Sequence, residues 1–180
     1  MIYRKSIIVG ILLFLIVLVV SVVILGGASM NPEKALEGFS RQIEQGKLND
    51  IRLTIYYVNP FYLTLHPWSV DDLIKASGEQ KIVIDGDCLV DYISYLERIN
   101  TDVFVPVEQK TILDARLYYV FETKKNRKIF DVVMWGGDDT SIFINGLEVK
   151  GDDVFYDVIK PFLPASILND FEAFIARHNI

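Results

Sequence analysis

Cysteine and histidine are scarce in this 180-residue sequence, which has one cysteine and two histidines. A single cysteine, Cys88, excludes an internal disulfide, a Cys-x-x-Cys pair and a cysteine-based zinc or iron–sulfur site. Two histidines, His66 and His178, cannot make a three-histidine metal site. Basic residues are outnumbered, with 18 Lys and Arg against 24 Asp and Glu. The net charge of −6 disfavours nucleic-acid binding, which needs Lys and Arg to neutralise phosphates.

The usual motifs of nucleophilic catalysis are missing as well. The sequence has no Gly-x-Ser-x-Gly elbow and no phosphate-binding P-loop. Cys88 is a candidate nucleophile, because it stands in the first turn of a predicted helix, a position typical of reactive thiols; a small core residue is the alternative. Neither histidine has an acid or a cysteine beside it in a catalytic spacing. The sequence therefore favours a non-enzymatic protein and predicts no cofactor.

Charge is entirely absent from one long apolar run. Residues 7–25 are nineteen consecutive uncharged residues. As a helix with a rise of about 1.5 Å per residue, this run is about 29 Å long, close to the thickness of a bilayer hydrocarbon core. Arg4 and Lys5 precede the run, and the next basic residue is Lys34. The positive-inside rule therefore predicts a single-pass transmembrane signal anchor, with a cytoplasmic N-terminus and residues 30–180 outside the cytoplasm.

Cleavage of this segment is the alternative. The apolar run of a signal peptide usually has about 7–15 residues and is shorter than the run found here. Small residues leading up to Ala28 nevertheless offer a cleavage site, which would give a secreted domain. We predict two parts, a cytoplasmic tip with the anchor at residues 1–29 and a single extracytoplasmic domain at residues 30–180. The first predicted partner is the membrane itself, contacted through residues 7–25.

Helix signals are spread along the predicted domain. An Asn-Pro pair followed by apolar residues at helical spacing predicts a helix over residues 31–46. A capping box predicts a second helix over residues 69–78. Asp87, taken as an N-cap, predicts a third helix over residues 87–99, and apolar periodicity predicts a last one over residues 164–177.

Alternating apolar residues predict strands in the rest of the domain. Residues 53–58 and 61–65 form two predicted strands joined by an Asn-Pro turn, and residues 81–84 form another. A meander of four strands follows, over residues 112–123, 128–135, 141–144 and 147–150. Asn145-Gly146 is a strong hairpin signal, whereas residues 154–159 fit either a strand or a helical turn. The predicted class is α+β, a mainly antiparallel β-meander packed on one face against several helices.

Two acidic turns supply the candidate metal ligands. Asp138 and Asp139 follow a glycine between two predicted strands, and this Gly-Asp-Asp triplet resembles the metal-binding turn of RNA-dependent polymerases over three residues. Asp85 and Asp87 flank another glycine. Together they would serve a small envelope hydrolase with a carboxylate-bound metal. Plain turn chemistry is the alternative, because glycine and aspartate both form turns and a second Gly-Asp-Asp recurs at residues 151–153.

Aromatic residues are the candidates for binding. They cluster around Trp68 and along two meander strands, where Tyr118 and Trp135 stand out. Exposed rings recognise peptides, glycans or partner proteins, whereas buried rings fill a core. The sequence therefore predicts a binding or interaction module of the cell envelope, for a partner protein or a small ligand and not for nucleic acid. An accessory subunit of a membrane complex is the remaining alternative.

Overall fold

The structure, a computed structural model, describes residues 31–78, 80–107, 111–135 and 142–178. The predicted anchor at residues 7–25 and the candidate ligands Asp138 and Asp139 lie outside the described residues. Within those ranges, no helix combines the length and the apolar character needed to cross a bilayer. The described part is an α+β domain built on one antiparallel sheet.

Six strands form this sheet. They are β1 (Ile51–Tyr57), β2 (Ile82–Asp85), β3 (Leu117–Thr123), β4 (Lys128–Met134), β5 (Ile142–Ile144) and β6 (Leu147–Val149). Their order is β2-β1-β3-β4-β5-β6, and every neighbouring pair is antiparallel. Strands β3 to β6 are the predicted meander, and β1 and β2 extend it beyond β3.

Helices precede, interrupt and follow the sheet. They are α1 (Pro32–Glu44), α2 (Val70–Ser77), α3 (Gly86–Leu89), α4 (Ile93–Leu96), α5 (Val154–Asp157) and α6 (Ala165–His178). Short 3₁₀ turns stand at Leu48–Asp50, Val90–Tyr92, Thr101–Val103 and Lys160–Phe162. The predictions of α1, α2 and α6 are confirmed, and the segment that fitted either a strand or a helical turn is helical.

Local capping and turn chemistry explains why these elements start where they do. Asn31 accepts a 2.9 Å hydrogen bond from the backbone N–H of Glu33 at the start of α1. Ser69 and Asp72 form the predicted capping box of α2, since each side chain accepts from the backbone N–H of the other. Asn145 and Gly146 have φ angles of 50° and 78°, the left-handed pair that a tight hairpin between β5 and β6 requires.

The main core lies on one face of the sheet, beneath α1, α5 and α6. Phe39 of α1 packs its ring 4.7 Å from Phe121 and 5.1 Å from Phe130, between centroids. Alternate residues of β1 and β3 point into this core, among them the fully buried Leu53 and Tyr119. Every second residue of these strands therefore faces the same buried side of the sheet.

A second, smaller apolar cluster lies on the opposite face, under α2. Leu73 of α2 packs there with Tyr118, Val120, Val133 and Phe143 of the meander. The prediction that helices cover only one face is therefore wrong. The central strands carry apolar residues at successive positions, a pattern typical of sheets that are covered on both sides.

The predicted strand at residues 61–65 is also absent from the described sheet. Asn59 accepts a 2.9 Å hydrogen bond from the N–H of Phe61, and its carbonyl accepts from Tyr62, so the chain turns here. Strand β1 is already paired on both sides, with β2 and β3, and offers no free edge to a returning strand. Apolar and polar residues still alternate over residues 61–65, but no neighbouring strand pairs with this segment in the described sheet. Strand β3 likewise starts only at Leu117, and residues 112–116 approach it as an irregular segment.

The predicted helix over residues 87–99 is broken into α3, a 3₁₀ turn and α4, and Asp85 rather than Asp87 holds its N-cap position. Gly86 is the first residue of α3, and its backbone lies very close to the backbone of Leu48 and Asn49. A β-carbon on Gly86 would collide with the backbone carbonyl of Leu48 and would stand 2.7 Å from Cα of Asn49. Close backbone packing therefore accounts for the glycine between the two aspartates.

Candidate functional site

Trp135 lies in the main core. Its ring stacks on Phe171 with centroids 4.7 Å apart and meets Tyr156 edge-on at 5.2 Å, and the residue is only 7% exposed. Trp135 directly follows strand β4, which ends at Met134, and its φ of 63° is outside the range of a strand. These contacts give Trp135 a packing role and leave little of its ring for a ligand.

Tyr118 lies on the opposite face of the sheet, at the edge of the second cluster. Its ring stacks on Tyr56 with centroids 5.8 Å apart, and its hydroxyl donates to Asp131 Oδ2 at 3.3 Å. Lys128 Nζ stands 2.7 Å from the same Oδ2. Burial, reinforced by the charge of Asp131, raises the pKa of Tyr118 well above its usual value. Tyr118 is therefore a neutral hydrogen-bond donor in a polar network with Asp131 and Lys128.

Trp68 is the predicted binding residue that reaches the surface. Its backbone N–H donates to Asp114 Oδ1 at 2.8 Å, and its carbonyl accepts from the N–H of Ala115 at 2.9 Å. The Arg116 guanidinium lies 5.5 Å from the centre of its ring. The ring of Tyr62 follows at 6.4 Å. The structure thus separates the three candidates, with Trp135 on one face of the sheet and Tyr118 on the other.

The segment that carries Trp68 exposes its largest apolar side chains. We call residues 59–69, between β1 and α2, the apolar loop. Leu63 is 97% exposed and Leu65 is 105% exposed relative to an extended reference, and Tyr62 is 63% exposed. The loop contains no Asp, Glu, Lys or Arg. Several exposed apolar side chains in one short segment make this loop the candidate interaction site of the domain.

Specific contacts hold the apolar loop on both sides of its exposed leucines. Asn59 Nδ2 donates to Asp170 Oδ2 at 3.0 Å, which ties the start of the loop to α6. The Phe61 ring lies 5.7 Å from Phe174 and under the guanidinium of Arg177, 5.1 Å away. Beyond Leu63, Thr64 Oγ1 accepts from Arg116 Nη2 at 3.2 Å. The loop is therefore tied to the rest of the domain by the side chains of Asn59, Phe61 and Thr64, while Leu63 and Leu65 stay exposed.

Arg116 is the central support of the loop. It is 7% exposed, and its two terminal nitrogens donate to the two carboxylate oxygens of Asp114 at 2.6 and 2.8 Å. This bidentate pair is geometrically specific and compensates the buried positive charge. Because Asp114 also binds the backbone of Trp68, a single ion pair supports both halves of the loop.

The candidate metal ligands that the structure describes stand apart from the apolar loop. Asp85 ends β2, and its Oδ1 lies 3.5 Å from Arg52 Nε, while Asp87 is an exposed residue of α3. Across the described ranges, no three His, Cys, Asp or Glu side chains are grouped so that they could hold a metal ion. Cys88, next to Asp87, is an exposed free thiol.

A basic hairpin occupies the opposite end of the sheet from the apolar loop. Lys124, Lys125 and Arg127 line a surface cavity of about 430 Å³ together with Asp50 and Thr123. Ile51 pairs with Thr123 at this end of β1, whereas Tyr57, next to the apolar loop, pairs with Leu117 at the other end. The seven residues of β1 span about 20 Å. The basic hairpin and the apolar loop therefore lie at opposite ends of the sheet.

Comparison with protein-family models, with curated proteins and with solved structures finds no match to this chain. The function of the site can therefore be inferred only from its own residues. Sequence reasoning identified Trp68 but missed Leu63 and Leu65, because it placed them in a strand. Pro60 and Pro67 were the available signal, since a segment closed by proline at both ends is poorly suited to a sheet.

Proposed function

We propose that this protein is a membrane-tethered domain outside the cytoplasm that binds rather than catalyses, and that the apolar loop is its docking surface. The observation that carries the proposal is the near-complete exposure of Leu63 and Leu65 on a loop pinned by Arg116 and Asn59. Two leucine side chains that stay in water contribute no hydrophobic free energy to the stability of the isolated domain. A partner surface that buries them would gain that free energy.

The tether is inferred from the sequence alone. Residues 7–25 are long and apolar enough to span a bilayer, and the basic pair Arg4 and Lys5 precedes them. Cleavage near Ala28 would release the same domain in secreted form. In either case the apolar loop belongs to the part of the chain that we place outside the cytoplasm.

The alternative of a small hydrolase has less support in the described residues. Asp85 is engaged by Arg52, and the described carboxylates form no metal-holding group. An accessory subunit of a membrane complex remains compatible with the proposal, since such a subunit would use the apolar loop as its contact.

Protease digestion tests the tether and its orientation. In cells that express the full chain, protease added outside spheroplasts should remove the domain at residues 30–180 and leave the anchor in the membrane. Survival of the domain in intact spheroplasts, with digestion only after lysis, would contradict the proposed orientation. Release of the domain into the medium would show cleavage and contradict the tether.

Site-specific photo-crosslinking tests the docking surface. Leu65 is replaced in the full chain by the photo-crosslinking amino acid p-benzoylphenylalanine, and in a matched control the same replacement is made at Val90, which is 45% exposed on the 3₁₀ turn after α3. Irradiation in intact cells should give adducts at position 65 that are weak or missing at position 90. Equal adduct yields at the two positions would contradict a docking role of the loop.

A further inference from the structure

We propose that the apolar loop inserts into the interfacial region of the same bilayer that holds the anchor, so that the domain is fixed on its membrane at two points. This inference deepens the proposed function and rests on its tether. The partner it names is a lipid surface, recognised through exposed leucines and aromatic rings.

The composition of the loop matches the interfacial layer of a bilayer. Tryptophan and tyrosine concentrate at the boundary between headgroups and acyl chains, where a ring with one polar tip is favoured. Tyr62 and Trp68 supply such rings, 6.4 Å apart between centroids. Leu63 and Leu65 supply the fully exposed aliphatic side chains that enter the acyl region.

The charge around the loop allows this approach although the domain as a whole is acidic. The loop itself has no charged residue. Arg177 is exposed, and its guanidinium lies 5.1 Å from the Phe61 ring, so it offers a positive charge beside the loop. Asp114 is paired with Arg116, whereas Asp170 accepts from Asn59 and Asp72 accepts from Ser69. Asp71, two residues beyond the loop, is exposed. Screening reduces the effect of more distant carboxylates beyond about 8 Å.

The length of the connecting chain keeps the domain at the membrane. Five residues, 26–30, separate the predicted span from the first described residue, Asn31. Even fully extended, they reach only about 18 Å. An exposed apolar loop on a domain held this close meets the bilayer at a high effective concentration, so that even a weak interfacial affinity keeps it bound.

The positions of the basic hairpin and the apolar loop define the orientation of the domain that we propose. The basic hairpin at Lys124–Arg127 and the apolar loop lie at opposite ends of β1. With the loop in the bilayer, the hairpin points away from the lipid. The reverse orientation would bring the hairpin to anionic headgroups and leave Leu63 and Leu65 in water.

Tryptophan quenching by brominated lipid tests the insertion in the full chain. The protein has two tryptophans, Trp68 in the loop and Trp135 in the core, so the second serves as an internal control. In liposomes with bromines near the headgroups, the emission of Trp68 should be quenched, and more strongly than with bromines near the chain ends. In the variant Trp68→Phe the remaining emission, from Trp135, should be unquenched.

The matched variants separate the loop from general surface effects. Leu63→Asp combined with Leu65→Asp should abolish most of the quenching of Trp68, whereas Val90→Asp should leave it unchanged. Both leucines are exposed, so the double variant should fold. An unchanged emission spectrum of Trp135, recorded after Trp68→Phe is added to the double variant, would verify this.

Each failure has its own signature. A chain that floats with the liposomes but shows no quenching of Trp68 would overturn the insertion and leave the tether intact. Adducts from position 65 to a second copy or to another protein, without lipid adducts, would also overturn it while supporting a docking role. A chain that does not float with liposomes would contradict the tether and the insertion together.

Discussion

Arg116 Nη2 donates to Thr64 Oγ1 at 3.2 Å, across 52 positions of the sequence. This contact joins the residue before β3 to the middle of the apolar loop, between the two exposed leucines. Because Arg116 is also bound to Asp114, the loop is held by a partly buried ion pair as well as by the packing of Phe61 against α6. The loop can therefore be ordered and still present Leu63 and Leu65 to a partner.

Removal of this support should destabilise the domain and loosen the loop. Arg116→Ala leaves Asp114 without its bidentate partner, and we expect a loss of about 2–3 kcal/mol in the free energy of unfolding. Chemical denaturation in mild detergent measures the loss, and proteolysis within the loop should become faster. Arg41→Ala is the control, since Arg41 and Glu37 are each 60% exposed and their pair contributes less than about 0.5 kcal/mol. Equal effects of the two substitutions would contradict the role of Arg116.

Two glycines should respond in opposite directions to the same substitution. Gly86→Ala drives a methyl group into the backbone at Leu48 and Asn49, and we expect it to cost at least about 3 kcal/mol. Gly38→Ala, inside α1 and with nothing within 4 Å of the position of the added Cβ, should stabilise the domain by about 0.5–1 kcal/mol. Denaturation midpoints compare the two variants. A tolerated alanine at position 86 would mean that the chain does not pass this close.

Two buried tyrosines differ in what their hydroxyls contact. Tyr119 donates to the carbonyl of Phe155 at 2.9 Å, whereas the hydroxyl of Tyr156 is buried without a hydrogen-bond partner among the described residues. Tyr119→Phe should therefore cost about 1–2 kcal/mol, because it leaves a buried carbonyl unpaired. Tyr156→Phe should be neutral or stabilising, within about 0.5 kcal/mol. Equilibrium unfolding of both variants checks the contrast, which a larger loss for Tyr156→Phe would contradict.

Acid should weaken the ion pairs that join Asp157 of α5 to Arg98 and Lys160. Asp157 binds Arg98 at 3.0 Å and Lys160 at 3.1 Å, and Lys160 also binds Glu172 at 3.0 Å. Burial alone would raise the pKa of Asp157, but the hydrogen bonds from Lys160 and Arg98 outweigh it and lower that pKa below its usual value. A lowered pKa in the folded state contributes stability above the unfolded pKa of about 3.9, and this stability is lost as the pH falls through the folded pKa.

The corresponding variant gives the pH test. Asp157→Asn should be less stable than the wild type at neutral pH, and the difference should shrink as the pH is lowered below about 4. The exposed Asp91 provides a matched substitution, Asp91→Asn, for which we expect little change at either pH. Unfolding curves at several pH values measure the difference. A gap between wild type and Asp157→Asn that widens in acid would contradict this account.

Much of the fold follows from local sequence signals. The capping residues Asn31 and Ser69 mark the starts of α1 and α2, and Asn145-Gly146 marks the β5–β6 hairpin, because each signal acts on backbone groups within a few residues. The strand that alternating residues predicted over residues 61–65 was wrong. A strand also needs a free edge, and the pairing of β1 on both sides removes it.

The candidate site was only partly accessible from the sequence. Trp68 and Trp135 look alike as aromatic residues near turns, yet one lies on a surface loop and the other stacks in the core. The difference arises because Trp135 meets Phe171, a residue 36 positions later in the chain. No pattern around either tryptophan carries that information.

Local residue chemistry by itself determined the caps of α1 and α2, the β5–β6 hairpin and the α+β class. It also predicts the anchor at residues 7–25, which lies outside the described residues. Only the tertiary structure decided which apolar residues are covered. It buries Trp135 under α6, covers the second face of the sheet with α2, and leaves Leu63 and Leu65 exposed on the apolar loop. The physical reason is that burial depends on what distant segments bring to a residue, whereas caps and turns depend on near neighbours.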